Sequence, residues 1–310
     1  MSDPLAVKRG RFLALAADVP ARVRLVELSE GNALSRKLKK LKAFGPRYVR
    51  WAAARAGLKP GLVEFPLFWG KTIRLPYVDD ADFVVFYLAG APAGPEYKLA
   101  RYFIRALKSS DVFYDVGANY GFYALLAGEF TKDVVAFEPM PAVAAGLVEN
   151  SAGTSVKVVD AALWDSTGTA TLYRHVLGDV FNTLEPKVAE ANLSRAAGKI
   201  EVRCVTLDDY VKTNPPPTVI KIDVEGGEKR LLAGASATLR SARPVVAMEV
   251  WAGEAGEKFS LPAALALLEL GYEVSALDDQ GITSPLSADE LPAFLKNMPA
   301  AWDNLVFTPV

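Results

Sequence analysis

From Val112 to Leu277 the sequence alternates short β-branched or aromatic runs with longer apolar and amphipathic stretches, and this alternation constrains the chain more than any other feature. Val112–Val116, Val134–Glu138, Val156–Asp160, Thr218–Val224, Val245–Val250 and Tyr272–Leu277 read as strands. Phe122–Phe130, Ala142–Asn150, Glu228–Leu239 and Leu261–Leu270 read as the helices between them. Repeated strand–helix–strand units predict an α/β domain with a mostly parallel sheet and right-handed crossovers, covered by helices on both faces. Asn304–Thr308 reads as a last strand closing the sheet edge. A hairpin, Thr169–Tyr173 and Ile200–Val205, interrupts the alternation, and the polar insertion it encloses, residues 174–199, is a candidate lid.

Composition excludes several classes. With 35 Lys+Arg against 36 Asp+Glu and 51% hydrophobic residues, the 310-residue chain is neither disordered nor a whole-protein nucleic-acid binder. One cysteine, Cys204, and one histidine, His175, provide neither a disulfide nor a His/Cys zinc site. No run approaches the roughly 18 apolar residues that cross a bilayer, and Asp18 and Pro20 spoil the only stretch resembling a signal core. A cytoplasmic location is expected.

The charge is segregated along the chain. Arg36, Lys37, Lys39, Lys40, Lys42, Arg47, Arg50, Arg55 and Lys59 fall between Gly31 and Val63 with no acid among them. Leu34, Leu38, Leu41 and Phe44 recur beside them at helical spacing, which predicts a basic helical arm. Such an arm is either a solvated face packed on the main domain or a surface for anionic membrane lipid, nucleic acid or an acidic partner. Apolar runs around Trp69-Gly70-Lys71, with a third at Phe83–Leu88, predict a small β-element. The expected division is residues 1–94 for arm and β-element, and 95–310 for the α/β domain.

Chemistry concentrates where strands should end. Asp115-Val116-Gly117-Ala118-Asn119-Tyr120-Gly121 joins a strand to a helix through glycines that let backbone approach a ligand. It lacks the spacing of dinucleotide folds and of phosphate loops. An acid at that strand end suits a cationic ligand portion, such as an amino acid or sulfonium group. Glu138, ending the next strand, can take two hydrogen bonds from a ribose diol. Lys221, Asp223 and Glu225 alternate along the fourth strand end, so they should point one way, and charges on one face of an apolar strand are costly unless paired or functional. Glu249 ends the following strand and could join these acids in holding a divalent ion or accepting a proton; no spacing demands a metal. His175 is the only candidate base with an ordinary pKa near neutrality. Asn182 and Thr183 offer hydrogen bonds to substrate hydroxyls, or cap their loop.

Taken together the residues resemble the FkbM-type S-adenosylmethionine-dependent methyltransferases. The resemblance rests on Asp115-Val116-Gly117-Ala118-Asn119-x-Gly121-x-Tyr123, Glu138-Pro139-x-Pro141 with Asn150, Ala161-Ala162-Leu163-x-Asp165-x-x-Gly168, Lys221-Ile222-Asp223-Val224-Glu225-Gly226-x-Glu228, Leu232-x-Gly234-Ala235, and Pro244 with Glu249. It implies a Rossmann-like class I methyltransferase fold with a seven-stranded sheet. It also implies S-adenosylmethionine as cofactor, with Asp115, Gly117, Ala118, Asn119 and Gly121 at its methionine portion, Glu138 at the ribose, and Asp160 with Ala161 by the adenine. The reaction expected is methyl transfer to a hydroxyl of a sugar, glycolipid or polyketide-like acceptor, with Asp223 as leading base, Lys221 and His175 as further catalytic candidates, and Glu225, Glu249 and Asn182 toward the acceptor. N-methylation of a peptide or small amine, or a non-catalytic cofactor-binding role, are the alternatives.

Overall fold

The computed structural model describes residues 3–17, 63–75, 95–175, 182–191 and 196–310. The basic arm, the Phe83–Leu88 run, residues 176–181 and residues 192–195 lie outside the described residues. The chain divides into two compact units, Met1–Tyr97 and Lys98–Val310.

In the first unit, helix α1 (Pro4–Ala17) accompanies an antiparallel pair, β1 (Val63–Pro66) and β2 (Thr72–Leu75). The turn expected at Trp69-Gly70-Lys71 is present: Gly70 takes φ 98°, where glycine pays no Cβ penalty, and its N–H donates to the Leu67 carbonyl at 2.9 Å. Phe12 of α1 is buried with Trp69 stacked on it at 6.2 Å and Phe68 edge-on at 6.4 Å. This aromatic trio gives a short hairpin the apolar partner it needs to persist in water.

The second unit opens with the body of helix α2 (Pro95–Ala106). Its sheet uses β3 (Val112–Val116), β4 (Asp133–Phe137), β5 (Val156–Val159), β9 (Val219–Ile222), β10 (Val245–Trp251), β11 (Tyr272–Leu277), β12 (Thr283–Leu286) and β13 (Trp302–Pro309). The strand order is β12-β11-β13-β10-β9-β3-β4-β5. Neighbours from β10 through β5 are parallel, while β13 runs antiparallel to both β10 and β11. This is the mostly parallel α/β architecture that the alternation predicts, and the Rossmann-like methyltransferase fold that the resemblance implies.

Two expectations need correction. Among the described residues the sheet has eight strands rather than seven, because Thr283–Leu286 pairs with β11 at the edge. Its polar sequence carries Pro285, which only an edge strand tolerates, so it gives no buried-strand signal. The C-terminal strand does not close the edge either. β13 lies between β10 and β11, and Leu305, Val306 and Phe307 are fully buried. An unbroken apolar run of that kind belongs inside a sheet covered on both faces.

The insertion forms a separate three-stranded sheet in the order β6 (Ala162–Leu163), β8 (Ala196–Val205), β7 (Gly168–His175). The β7–β8 hairpin extends beyond the expected runs, to the pair His175 and Ala196, with an irregularity at Arg174/His175.

The helices that matter for the site are α3 (Phe122–Ala127), α4 (Pro141–Asn150), α5 (Pro186–Ala191), α6 (Leu207–Tyr210), α7 (Glu228–Ala233), α8 (Ser236–Ser241), α9 (Leu261–Glu269) and α10 (Leu291–Asn297). One sheet face is wholly apolar: Tyr114, Val116, Ile220, Ile222, Val246, Met248, Val250, Leu305 and Phe307 pack with Leu231, Leu239 and Leu267. The registers place Asp115 opposite Lys221, Lys221 opposite Ala247, and Glu249 opposite Asn304. Opposed residues share a face and residues two apart return to it. Hence Asp115, Lys221, Glu249 and Asn304 form a polar row on the other face, at the carboxyl ends of the parallel strands, where doubly wound sheets bind ligands.

Candidate active site

After Asp115 the chain reverses tightly: Gly117, Asn119 and Gly121 all take positive φ, at 74°, 51° and 98°. The N–H groups of Gly117 and Ala118 donate to the Phe137 carbonyl at 3.1 and 3.0 Å, clipping the turn to the end of β4. Glu138 completes the clip. One carboxylate oxygen accepts from the Asn119 N–H at 3.0 Å and the other from the Met140 N–H at 2.9 Å. Each oxygen therefore already has a protein donor and only its remaining lone-pair capacity to offer a diol, so Glu138 shapes the turn as well as facing the strand end. Asn150 is structural: its amide donates to the Tyr120 carbonyl at 3.1 Å, fastening α4 to the same turn.

Asp115 is fully buried, and neither of its carboxylate oxygens has a hydrogen-bond partner of ordinary geometry. Burial pushes its carboxyl up to about 6, with the Lys221 ammonium opposing the rise. A buried acid beside glycine-rich backbone, with no hydrogen bond of ordinary length and the Lys221 ammonium only at 3.7 Å, fits the ammonium end of a methionine-type ligand.

Lys221 is 2% exposed. Its ammonium lies 3.0 Å from an Asp223 carboxylate oxygen, 3.3 Å from the Gly117 carbonyl and 3.7 Å from Asp115, with the Tyr123 ring 5.4 Å away as a cation–π face. The internal ion pair that the alternation allowed is thus present, and it joins the acid of the first strand to the acid of the fourth. Asp223 also approaches Glu249, with a carboxylate oxygen of each within 4.8 Å. Glu249 accepts from the Trp251 indole N–H at 2.9 Å.

Glu225 departs from the expectation. β9 ends at Ile222 and Glu225 has φ 54°, so the strand alternation stops before it and the three charges do not line one strand face. Glu228, at the start of α7, sets this loop: one oxygen accepts from the N–H groups of Val224 at 3.3 Å and Gly226 at 3.2 Å. The insertion docks on the same loop. The Thr183 hydroxyl donates to the Glu225 carbonyl at 2.7 Å, and Val188 of α5 fills the place a Cβ on Gly226 would need.

His175 sits half-buried at the end of β7, its backbone N–H donating to the Asn182 side-chain oxygen at 3.0 Å. Asn182 thereby does the loop capping its residue type allows. Asp160 is exposed and its carbonyl accepts from Arg203 at 3.1 Å, while the adjoining Ala161 is fully buried. Asp115, Lys221, Asp223 and Glu249 come together; Glu138 joins them through the turn. His175 and Asn182 belong to the insertion sheet.

Sequence reasoning assigned no role to Tyr123, Glu228 or Asn304. All three carried a signal: an aromatic at the second position of α3, an acid opening a helix, and an amide inside an apolar strand.

Glu228 gives a pH prediction. Burial pushes its carboxyl from the ordinary 4.5 up to about 7, although the Gly226 and Val224 N–H groups pull the other way. A folded-state pKa above the unfolded one means the folded chain keeps a proton the unfolded chain has lost. This contribution is therefore intact below about pH 4.5 and lost as pH rises toward 7. Glu228→Gln keeps the accepting oxygen and cannot ionise. It should match the wild type near pH 4.5 and be more stable at pH 8, by up to about 3 kcal/mol. Denaturant titrations across pH would show it, and parallel pH profiles for the two proteins would count against it.

A buried acid and a glycine turn at the end of β3, with an ion-paired acid at the end of β9, define a cofactor-binding α/β transferase site. The profile of the family described as "Methyltransferase FkbM domain" matches residues 115–274, more than half of the chain, and the chain belongs to that family. The "Hexuronic acid methyltransferase AglP" of Haloferax volcanii is 30% identical over 164 residues, covering 51% of this chain and 63% of that protein. The chain thus matches less than two thirds of this curated relative's length. Among solved structures, Methyltransferase FkbM from Methylobacillus flagellatus KT aligns over 73% of this chain and 52% of its own, with TM-score 0.44 and 17% identity. Precorrin-6y C5,15-methyltransferase from Geobacter metallireducens GS-15 aligns over 70% and 88%, with TM-score 0.39 and 12% identity. Among the described residues, no helix is long and apolar enough to cross a membrane.

Proposed function

We propose that the protein transfers a methyl group from S-adenosylmethionine to a hydroxyl of a sugar acceptor bearing a hexuronic acid. The observation that carries this reading is the contact of Lys221 with both Asp115 and Asp223, at the meeting of the glycine turn and the β9 end. Family membership and the name of the AglP relative support the methyl chemistry and the sugar acceptor.

Asp115 and the backbone of Gly117, Ala118, Asn119 and Gly121 would hold the methionine portion, Glu138 the ribose, and Asp160 with Ala161 the adenine side. When bound, the cofactor supplies a methyl group on a sulfonium, ready for in-line displacement. Asp223 is the base in this reading. Lys221 holds one of its oxygens at 3.0 Å, which orients the carboxylate without consuming the other oxygen. That second oxygen takes the hydroxyl proton as the carbon–oxygen bond forms, and positioning provides most of the remaining acceleration. Glu249, within 4.8 Å of Asp223, would orient the acceptor, with Glu225 and Asn182 at its margin. His175 is the competing base, carried on an insertion that acts as a lid in this reading.

The test is incubation with S-adenosylmethionine and a glucuronic-acid-terminated disaccharide. S-adenosylhomocysteine and a methylated sugar should form in equal amounts. The product should survive mild alkali, as an ether does and a carboxyl ester does not. An alkali-labile product would move the acceptor atom to the carboxylate, and absence of both products would overturn the reading.

A further inference from the structure

We propose that Asn304 binds the methyl acceptor and that its side-chain amide selects a sugar hydroxyl there; this rests on the methyl-transfer reading above. Asn304 lies near the start of β13, directly opposite Glu249, so their side chains share the polar face of the sheet. It is 1% exposed, and neither the oxygen nor the nitrogen of its amide has a hydrogen-bond partner. A buried amide with both ends unpaired costs stability, and a fold has no structural reason to keep one when leucine would fill the space.

Its position says which ligand it serves. The cofactor turn follows β3, the ion-paired Asp223 follows β9, and β10 and β13 come next in the sheet. At about 4.8 Å per strand, Asn304 stands roughly 10 Å beyond β9, on the side away from the cofactor turn. An in-line displacement brings the acceptor to the methyl from the side opposite the cofactor, and Asn304 stands on that side. Glu249 is an acceptor-only group when ionised, whereas an amide offers two donors and a carbonyl, so the pair can bracket neighbouring hydroxyls of one sugar ring. Buried polar groups that are satisfied only by the correct ligand reject analogues lacking its hydroxyl far better than an apolar wall does. Because the amide is sealed from solvent, the acceptor has to displace covering groups to reach it.

The experiment compares wild type, Asn304→Leu and Asn304→Ala. Asn304→Leu should raise the thermal midpoint by about 2–4 °C, since an unpaired amide becomes an apolar side chain of similar size. Its affinity for S-adenosylhomocysteine, by calorimetry, should stay within about twofold of wild type. Its KM for the glucuronic-acid-terminated disaccharide, and the disaccharide's Kd on the S-adenosylhomocysteine-saturated protein, should rise at least tenfold. Asn304→Ala, which cannot clash, should show the same loss of disaccharide binding should the leucine prove too large. A folded variant with unchanged KM and Kd would overturn the assignment, as would a lower midpoint with binding intact. If the wild type itself neither binds nor methylates the disaccharide, it is the functional reading that fails, and the Asn304 assignment falls with it.

Discussion

Replacing Asp223 by Asn is expected to lower turnover by about 10²–10⁴ while leaving S-adenosylhomocysteine affinity close to wild type. The substitution keeps the shape, and the Asn oxygen can still accept from the Lys221 ammonium that stands 3.0 Å from the native carboxylate. What it removes is the capacity to take up a proton. Cofactor affinity should survive because Asp115, Glu138 and the Gly117–Gly121 turn are untouched. His175→Ala should cost much less, since His175 ends β7 of the insertion sheet whereas Asp223 follows β9 of the parallel sheet that carries the glycine turn. Steady-state rates on the glucuronic-acid-terminated disaccharide decide the matter. Near-normal turnover in Asp223→Asn with a dead His175→Ala would put the base on the insertion, not on the sheet.

The framework of this site was more legible in the sequence than its detail. Alternating strand and helix runs carry the parallel sheet because each run is buried and its period is local. The position of β13 is not local. Nothing within Trp302–Pro309 says that it inserts between β10 and β11, and reading it as an edge strand hid Asn304 from the site. Once β13 is central, its register brings Asn304 opposite Glu249. Asn304, like Lys221, is a polar group on an apolar strand and is as costly there unless paired or functional.

Motif spacing has a different blind spot. Asn150, Asp165 and Glu228 belong to the matching motifs, yet they fasten the framework. Asn150 holds the first turn, Asp165 pairs with Arg230 at 2.5 Å, and Glu228 ties down Val224 and Gly226. A motif marks residues that are required without saying whether they touch a ligand. Glu225 shows the reverse error: two-residue spacing suggested a shared strand face, but β9 ends at Ile222 and the chain has left the strand before Glu225 and Gly226, whose φ values are 54° and 91°.

Gly117→Ala should do damage that its size does not suggest, because Gly117 couples the turn after β3 to Asp223, the proposed base. Gly117 has φ 74°, and a Cβ there would overlap the Asp223 carbonyl oxygen. The backbone of the turn after β3 and that of the loop carrying Asp223 are therefore in direct contact, and the Gly117 carbonyl also receives the Lys221 ammonium at 3.3 Å. Left-handed geometry alone costs an alanine about 1–2 kcal/mol. Forcing two backbones apart adds about 1–3 kcal/mol. The total of about 2–5 kcal/mol should appear as a lower denaturation midpoint. Because Asp223 must shift to relieve the overlap, turnover should fall about 10²-fold in the fraction that remains folded. Gly153→Ala separates the two causes. Gly153 has φ 73° but open space around its Cβ position, so it should lose only the conformational part and keep its turnover. Equal stability losses and equal activity in the two variants would mean that the contact between turn and loop carries neither stability nor catalysis.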